Sequence, residues 1–238
     1  TSLPAPSGEE QLLGEFPAFE EDTRVYVTVP GGRRVGFTFD PQPYNQVISQ
    51  FFPADAQWYR PGFVADDGTF FELKAGRSGP LIQGVDGKFY DLAGVPYNPE
   101  SGRFGGRYTL VTPEGIEYVI DAVSGDLLTA EDNNENLLTF TDDGVFSDTG
   151  LAVSFDRDAQ GRITEVVDPD GEVIAYEYDA SGDLVAVTDR EENTTQFVYD
   201  VEGRPHYLNE IVDPLGRSGV RTEYDEKGRL KRTIDVNG

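Results

Sequence analysis

The chain has 238 residues, enough for one or two domains, but only 37% are apolar, so any core is thin. Its 44 acidic and 19 basic side chains leave a formal charge of −25, a field that repels nucleic-acid phosphates and anionic membrane surfaces. Cys is absent, which excludes disulfides and thiolate chemistry, and 27 Gly with 15 Pro interrupt the chain too often for long helices.

Met is also absent, even at position 1, so the chain reads as a processed piece of a larger protein. No apolar run reaches the roughly 18 residues of a membrane span, and no basic and apolar leader opens the sequence. The charge is uneven. Residues 1–107 hold 14 acidic and 9 basic groups, leaving 30 and 10 for residues 108–238. Cations or a basic partner are the electrostatic companions of such a surface, which also keeps an exposed β protein soluble.

Residues 1–15 begin with Pro and Gly at three of their first eight positions and suit a linker or arm. From Arg24 the pattern is period two: Val25, Val27 and Val29 alternate with Tyr26 and Thr28, and Val35, Phe37 and Phe39 follow Pro30-Gly31-Gly32. That is a β-hairpin signature. A helical turn is expected between Tyr44 and Phe52, stopped by Pro53. Further two-strand units are expected around Asp66-Asp67-Gly68, Val85-Asp86-Gly87 and Thr112-Pro113-Glu114-Gly115. Residues 16–107 thus read as a leading, divergent β-hairpin region.

Residues 108–238 repeat. Each unit ends a strand with an apolar residue and Asp, at Ile120-Asp121, Phe155-Asp156, Tyr178-Asp179, Tyr199-Asp200 and Tyr224-Asp225. A glycine turn follows, at Gly125, Gly161, Gly182, Gly203 and Gly228, the last continuing as Arg229-Leu230. A second Asp then opens the next turn, at Asp132, Asp168, Asp189, Asp213 and Asp235. Asp bonds its side chain to backbone N–H groups ahead of it, and Gly accepts the positive φ that other residues resist. Each unit is therefore two strands and two turns, and many units make a curved ribbon of antiparallel hairpins. The sequence stops at Asp235-Val236-Asn237-Gly238, the second turn of a unit, so the strand at 230–234 is expected to pair with another segment or copy, or to be the most mobile strand.

The stretches at 176–184, 197–204 and 222–230 resemble YD repeats of the Rhs family, which includes bacterial polymorphic toxins and the related animal teneurins. The resemblance is convincing over residues 108–238. It implies an all-β fold, a YD-repeat β-shell or β-spiral segment, in which Tyr178, Asp179, Gly182, Tyr199, Asp200, Gly203, Tyr224, Asp225, Gly228 and Arg229 are structural repeat positions. It also implies a secreted or cell-surface bacterial protein in which the shell encloses a C-terminal effector, with the rest of a parent chain or neighbouring copies as partners. The alternative is an adhesion or carbohydrate- or protein-binding scaffold without cargo, using exposed Tyr and Trp58. Self-cutting members of the family resemble one another in two close Asp-Pro-x-Gly elements. Here Asp168–Gly171 and Asp213–Gly216 are 41 residues apart, each at an ordinary turn position. The run from Tyr97 to Phe104 echoes a closing motif of such shells, yet precedes the repeats and reads as a turn.

Enzyme chemistry finds little support. His206 is the sole histidine, no Gly-x-Ser-x-Gly or phosphate-loop motif occurs, and carboxylate pairs drawn from 44 acids carry no signal. His206 falls in a three-residue expansion of its repeat and reads as a solvent-facing structural residue. The run Asp156-Arg157-Asp158 to Gly161 opens like an oxygen-ligand loop, but Val167 stands where an EF-hand needs Glu. No catalytic, cofactor or metal residue is assigned; the cation expectation is weak Ca2+ binding spread over the acidic surface.

Overall fold

The computed structural model describes residues 16–29, 31–43, 57–77 and 79–235. The expected linker over residues 1–15, the helical turn between Tyr44 and Phe52, and residues 236–238 of the closing turn lie outside the described residues. Among these the chain is all β, with antiparallel sheets, no α-helix and a single 3-10 turn at Gly102–Phe104. It divides into two compact units, residues 1–140 and 141–238.

The first unit contains β1 (Arg24–Thr28), β2 (Arg34–Phe39), β3 (Gln42–Pro43), β4 (Trp58–Arg60), β5 (Phe63–Ala65), β6 (Glu72–Ala75), β7 (Leu81–Gln83), β8 (Phe89–Tyr90), β9 (Arg107–Val111), β10 (Glu117–Asp121), β11 (Leu127–Glu131) and β12 (Leu137–Thr141). Hydrogen bonding orders them as β1-β2-β5, as β3-β4-β7-β8 and as β6-β9-β10-β11-β12. The hairpin expected from Arg24 onward is β1 and β2, with Val25 opposite Phe37 and Val27 opposite Val35. That register puts the alternating apolar residues on one face. Val27, Val29, Val35 and Phe37 there meet Leu73, Tyr108 and Leu110 in one core cluster.

A second cluster gathers Phe19, Phe39, Leu81, Phe89, Tyr97 and Phe104. Phe39 is its centre, with ring centroids 5.4 Å from Phe89, 5.5 Å from Phe19 and 5.5 Å from Tyr97. Burying each such ring contributes about 1.5–3 kcal/mol, so this aromatic knot stabilises the unit more than any surface pair. The run from Tyr97 to Phe104 is a turn built into that knot: Tyr97, Asn98, Pro99 and Ser101 are buried, and Asn98 Nδ2 donates to the Pro17 carbonyl at 3.1 Å.

Hairpins form around residues 85–87 (β7 with β8) and 112–115 (β9 with β10), as expected. The unit expected at Asp66-Asp67-Gly68 is different. Its turn closes with the Thr69 N–H on the Asp66 carbonyl, but β5 then belongs to one sheet and β6 to another. The local turn signal was right; the pairing was decided by Leu73 entering the core beside Leu110.

The second unit is β13 (Gly144–Ser147), β14 (Ala152–Arg157), β15 (Ile163–Val167), β16 (Val173–Tyr178), β17 (Leu184–Thr188), β18 (Thr194–Val198), β19 (Glu210–Val212), β20 (Ser218–Tyr224) and β21 (Leu230–Asp235), each hydrogen-bonded to the next. The register joins Phe155 to Val166, Val166 to Ile174, Tyr176 to Val187, Phe197 to Ile211 and Ile211 to Val220 across one face. The other face mixes Asp156, Glu165, Glu177, Gln196, Glu210 and Arg221 with Val167, Val173, Ala186, Val198 and Val212. Among the described hydrophobic residues of this unit only Ala186 is fully buried, so the apolar row is half-covered by its own neighbours in the ladder.

Candidate functional site

The repeated chemistry of the second unit lies in its turns. At Asp179, Oδ1 accepts from Ser181 N–H at 2.8 Å and Asp183 N–H at 2.9 Å, while the Gly182 N–H returns to the Asp179 carbonyl at 3.1 Å. Asp225 repeats this with Lys227 and Arg229 N–H, both at 2.9 Å, and Arg229 Nε adds a bond to Oδ2 at 2.8 Å. The same fork, with N–H groups two and four residues ahead, recurs at Asp158, Asp168, Asp189 and Asp213, and in the first unit at Asp132. Gly161, Gly182 and Gly228 have φ of 80°, 93° and 78°, the left-handed conformation that ends a type I turn and starts a bulge; Gly203, at 69°, is left-handed as well, but its turn is closed one residue later, by the Arg204 N–H on the Val201 carbonyl. The ladders show that bulge as register shifts at Asp156/Arg157, Glu177/Tyr178 and Glu223/Tyr224.

The turns that contain Asp168–Gly171 and Asp213–Gly216 follow the same plan as their neighbours. One repeat position is corrected. Asp156 lies within β14 opposite Glu165, and the turn is opened by Asp158, whose Oδ1 accepts from Gln160 and Arg162 N–H. The fork goes with Asp three residues before the left-handed residue, a spacing that Asp158 has to Gly161; Asp121, four residues before Gly125, accepts instead from the Val123 and Ser124 N–H groups. Both carboxylate oxygens of Asp158 are engaged, Oδ2 by Arg162 Nε at 2.7 Å.

These bonds hold the carboxyls ionised. Asp168 is kept below the ordinary carboxylate range chiefly by Arg190, Asp213 by Arg217, and Asp132 by Asn136. The backbone N–H of Asn193 does the same for Asp189, and that of Arg229 for Asp225. At Asp158 burial acts in the opposite sense, but Arg162 and the turn N–H groups prevail.

The tyrosines tie one repeat to the preceding one. Tyr178 donates to the Ile163 carbonyl at 3.0 Å and Tyr224 to the Leu208 carbonyl at 2.7 Å, both at the end of a strand. Tyr199 lies just beyond β18, and burial raises its phenol pKa above the ordinary value. Asp200 departs from the plan: its N–H donates to Asn209 Oδ1 at 3.3 Å, because the expansion after Gly203 displaces the usual closing residue. That expansion packs forward. The Tyr207 ring stands 4.8 Å from Tyr224, and Arg204 donates to the Glu226 carbonyl at 2.7 Å.

His206 also bridges turns. At φ 67° it sets Nδ1 2.8 Å from Asp183 Oδ1 while remaining 58% exposed. On the opposite margin Arg190 reaches Asp168 at 2.8 Å. The bridging roles of Arg190, Arg204, His206 and Asn209 were missed from sequence, although Arg after the turn Gly at 161, 203 and 228 was a visible signal. Among the described residues no group of three or more His, Cys, Asp or Glu could hold a metal ion. No helix among them is long and apolar enough to cross a membrane.

No curated protein matches the chain. The family model described as RHS Repeat matches residues 157–191 and 178–217. Both matches start one residue before a turn-opening aspartate, Asp158 and Asp179, so the family period and the structural period coincide. With its antiparallel hairpins, Asp-to-backbone turns and left-handed glycines, the chain carries RHS repeats over residues 157–217, and these matches support its assignment to the Rhs/YD-repeat family.

Proposed function

We propose that the chain is a non-catalytic structural segment of an exported bacterial Rhs/YD-repeat protein, forming part of a β-shell that encloses or displays a C-terminal effector. The observation that carries this reading is the face formed by Phe155, Val166, Ile174, Tyr176, Val187, Phe197 and Ile211, half-buried and running across successive strands. A sheet with one continuous apolar face and one that mixes charged and apolar residues suits a wall with an inside and an outside. The acidic excess of residues 108–238 favours a basic cargo over nucleic acid.

The full product of the gene tests it. The expected result is export to the medium or cell envelope, with a C-terminal segment that resists trypsin until the repeats are unfolded. Retention in the cytosol would overturn the reading. So would cleavage of that segment as fast in the whole protein as when it is free, the outcome expected of an adhesion scaffold without cargo.

A further inference from the structure

A groove of about 470 Å³ in the first unit runs along β1. It touches every residue from Thr23 to Thr28. Successive side chains of a strand point to opposite faces, so a cavity bordered by six consecutive residues follows the strand's edge, not one of its faces. Among the described strands that edge is unpaired, since β1 is hydrogen-bonded to β2 alone.

The ladder shows which backbone groups look into the groove. The Phe39 N–H donates to the Thr23 carbonyl and the Val29 N–H to the Arg33 carbonyl, so the odd-numbered residues face β2. In an antiparallel pair the intervening residues direct both N–H and C=O outward, here Arg24, Tyr26 and Thr28. The opposite wall comes from Asn98 and Glu100 and from Ile120 to Ala122.

The charge of the groove selects its occupant. Arg24 is engaged by Asp66 at 2.6 Å, and Asp121 faces Arg107 across β9 and β10. Glu100 makes no ion pair among the described residues, and partial burial raises its pKa, so a cation beside it would relieve that cost. We propose that this groove takes an extended, basic peptide segment of a partner protein, which adds as a strand to the edge of β1 that no described strand covers and sets a Lys or Arg against Glu100. Main-chain bonds to Arg24, Tyr26 and Thr28 supply affinity, and Glu100 supplies selection. The site lies outside the repeats and does not depend on the shell reading.

The test uses the whole chain and a short fluorescein-labelled peptide alternating Lys and Val. Saturable binding is expected, with amide exchange at Arg24, Tyr26 and Thr28 slowed at least about tenfold in the complex. N-methylation of alternate peptide nitrogens, which removes the edge bonds and keeps the charge, should abolish binding. Glu100→Gln should weaken it by about tenfold, the scale of one charge-assisted contact. Three results would each overturn the proposal: those amides already protected in the free chain, equal binding of the N-methylated peptide, or undiminished binding by Glu100→Gln. A Glu and Val peptide binding as tightly would overturn the charge selection.

Discussion

At one turn position the chain offers both a glycine and a glutamate. Gly171 and Glu192 close equivalent turns, with φ of 86° and 64°. No atom lies within 4 Å of where a Cβ on Gly171 would stand, so Gly171→Ala meets only the backbone cost of the left-handed region, about 1–2 kcal/mol, offset in part by the stiffer unfolded chain, for a net loss of about 0.5–1 kcal/mol. Glu192→Gly relieves that cost but frees the unfolded chain, for a net gain of about 0.5 kcal/mol. Gly228→Ala is expected to cost more than Gly171→Ala, because its Cβ would stand 2.5 Å from Tyr207 Oη. Adding Tyr207→Phe should return part of the difference, since Arg204 Nη1 still stands 3.0 Å from that Cβ. Urea midpoints at constant slope read all four variants.

The hairpins are held to one another by a tyrosine at the strand end more than by any surface ion pair. Tyr178→Phe and Tyr224→Phe each remove a half-buried hydrogen bond and are expected to cost about 0.5–1.5 kcal/mol. Tyr199→Phe is expected to be near neutral, since its hydroxyl bonds to no protein group among the described residues. A thermal melt of the three variants checks the order; equal losses would refute the distinction. Arg190→Ala, which opens an exposed bridge to Asp168, should leave the midpoint almost unchanged.

For the whole chain, acid is the condition that addresses every turn together. The carboxyls of Asp132, Asp158, Asp168, Asp189, Asp213 and Asp225 are depressed in the folded state. A depressed folded pKa stabilises above the unfolded value of about 3.9, and that contribution is lost as pH falls through the folded values. Repulsion within a chain of charge −25 acts in the opposite sense, since acid discharges it. In about 1 M salt, where the screening length is about 3 Å, the repulsion is removed and the short turn bonds persist. Stability there should be level from about pH 7 to pH 5 and fall below about pH 4. A midpoint that rises on acidification in high salt would show that the turn aspartates contribute little.

The sequence by itself determined the all-β class, the alternating faces and the repeated turns of the second half, because each rests on interactions within about five residues: an Asp, the N–H groups just ahead of it and a Gly with positive φ. Even there Phe155-Asp156 misled, since two aspartates stand near Gly161 and only the spacing of a closed turn selects Asp158. Tertiary structure alone decided the rest. The separation of β5 from β6 follows from which core each enters, and the bridges of Arg204 and His206 depend on turns 22 and 23 residues away. The groove on β1 joins residues near 24, 100 and 121, which no local pattern relates. Turns are closed by neighbours in the chain, whereas cores and grooves are closed by segments that only packing brings together.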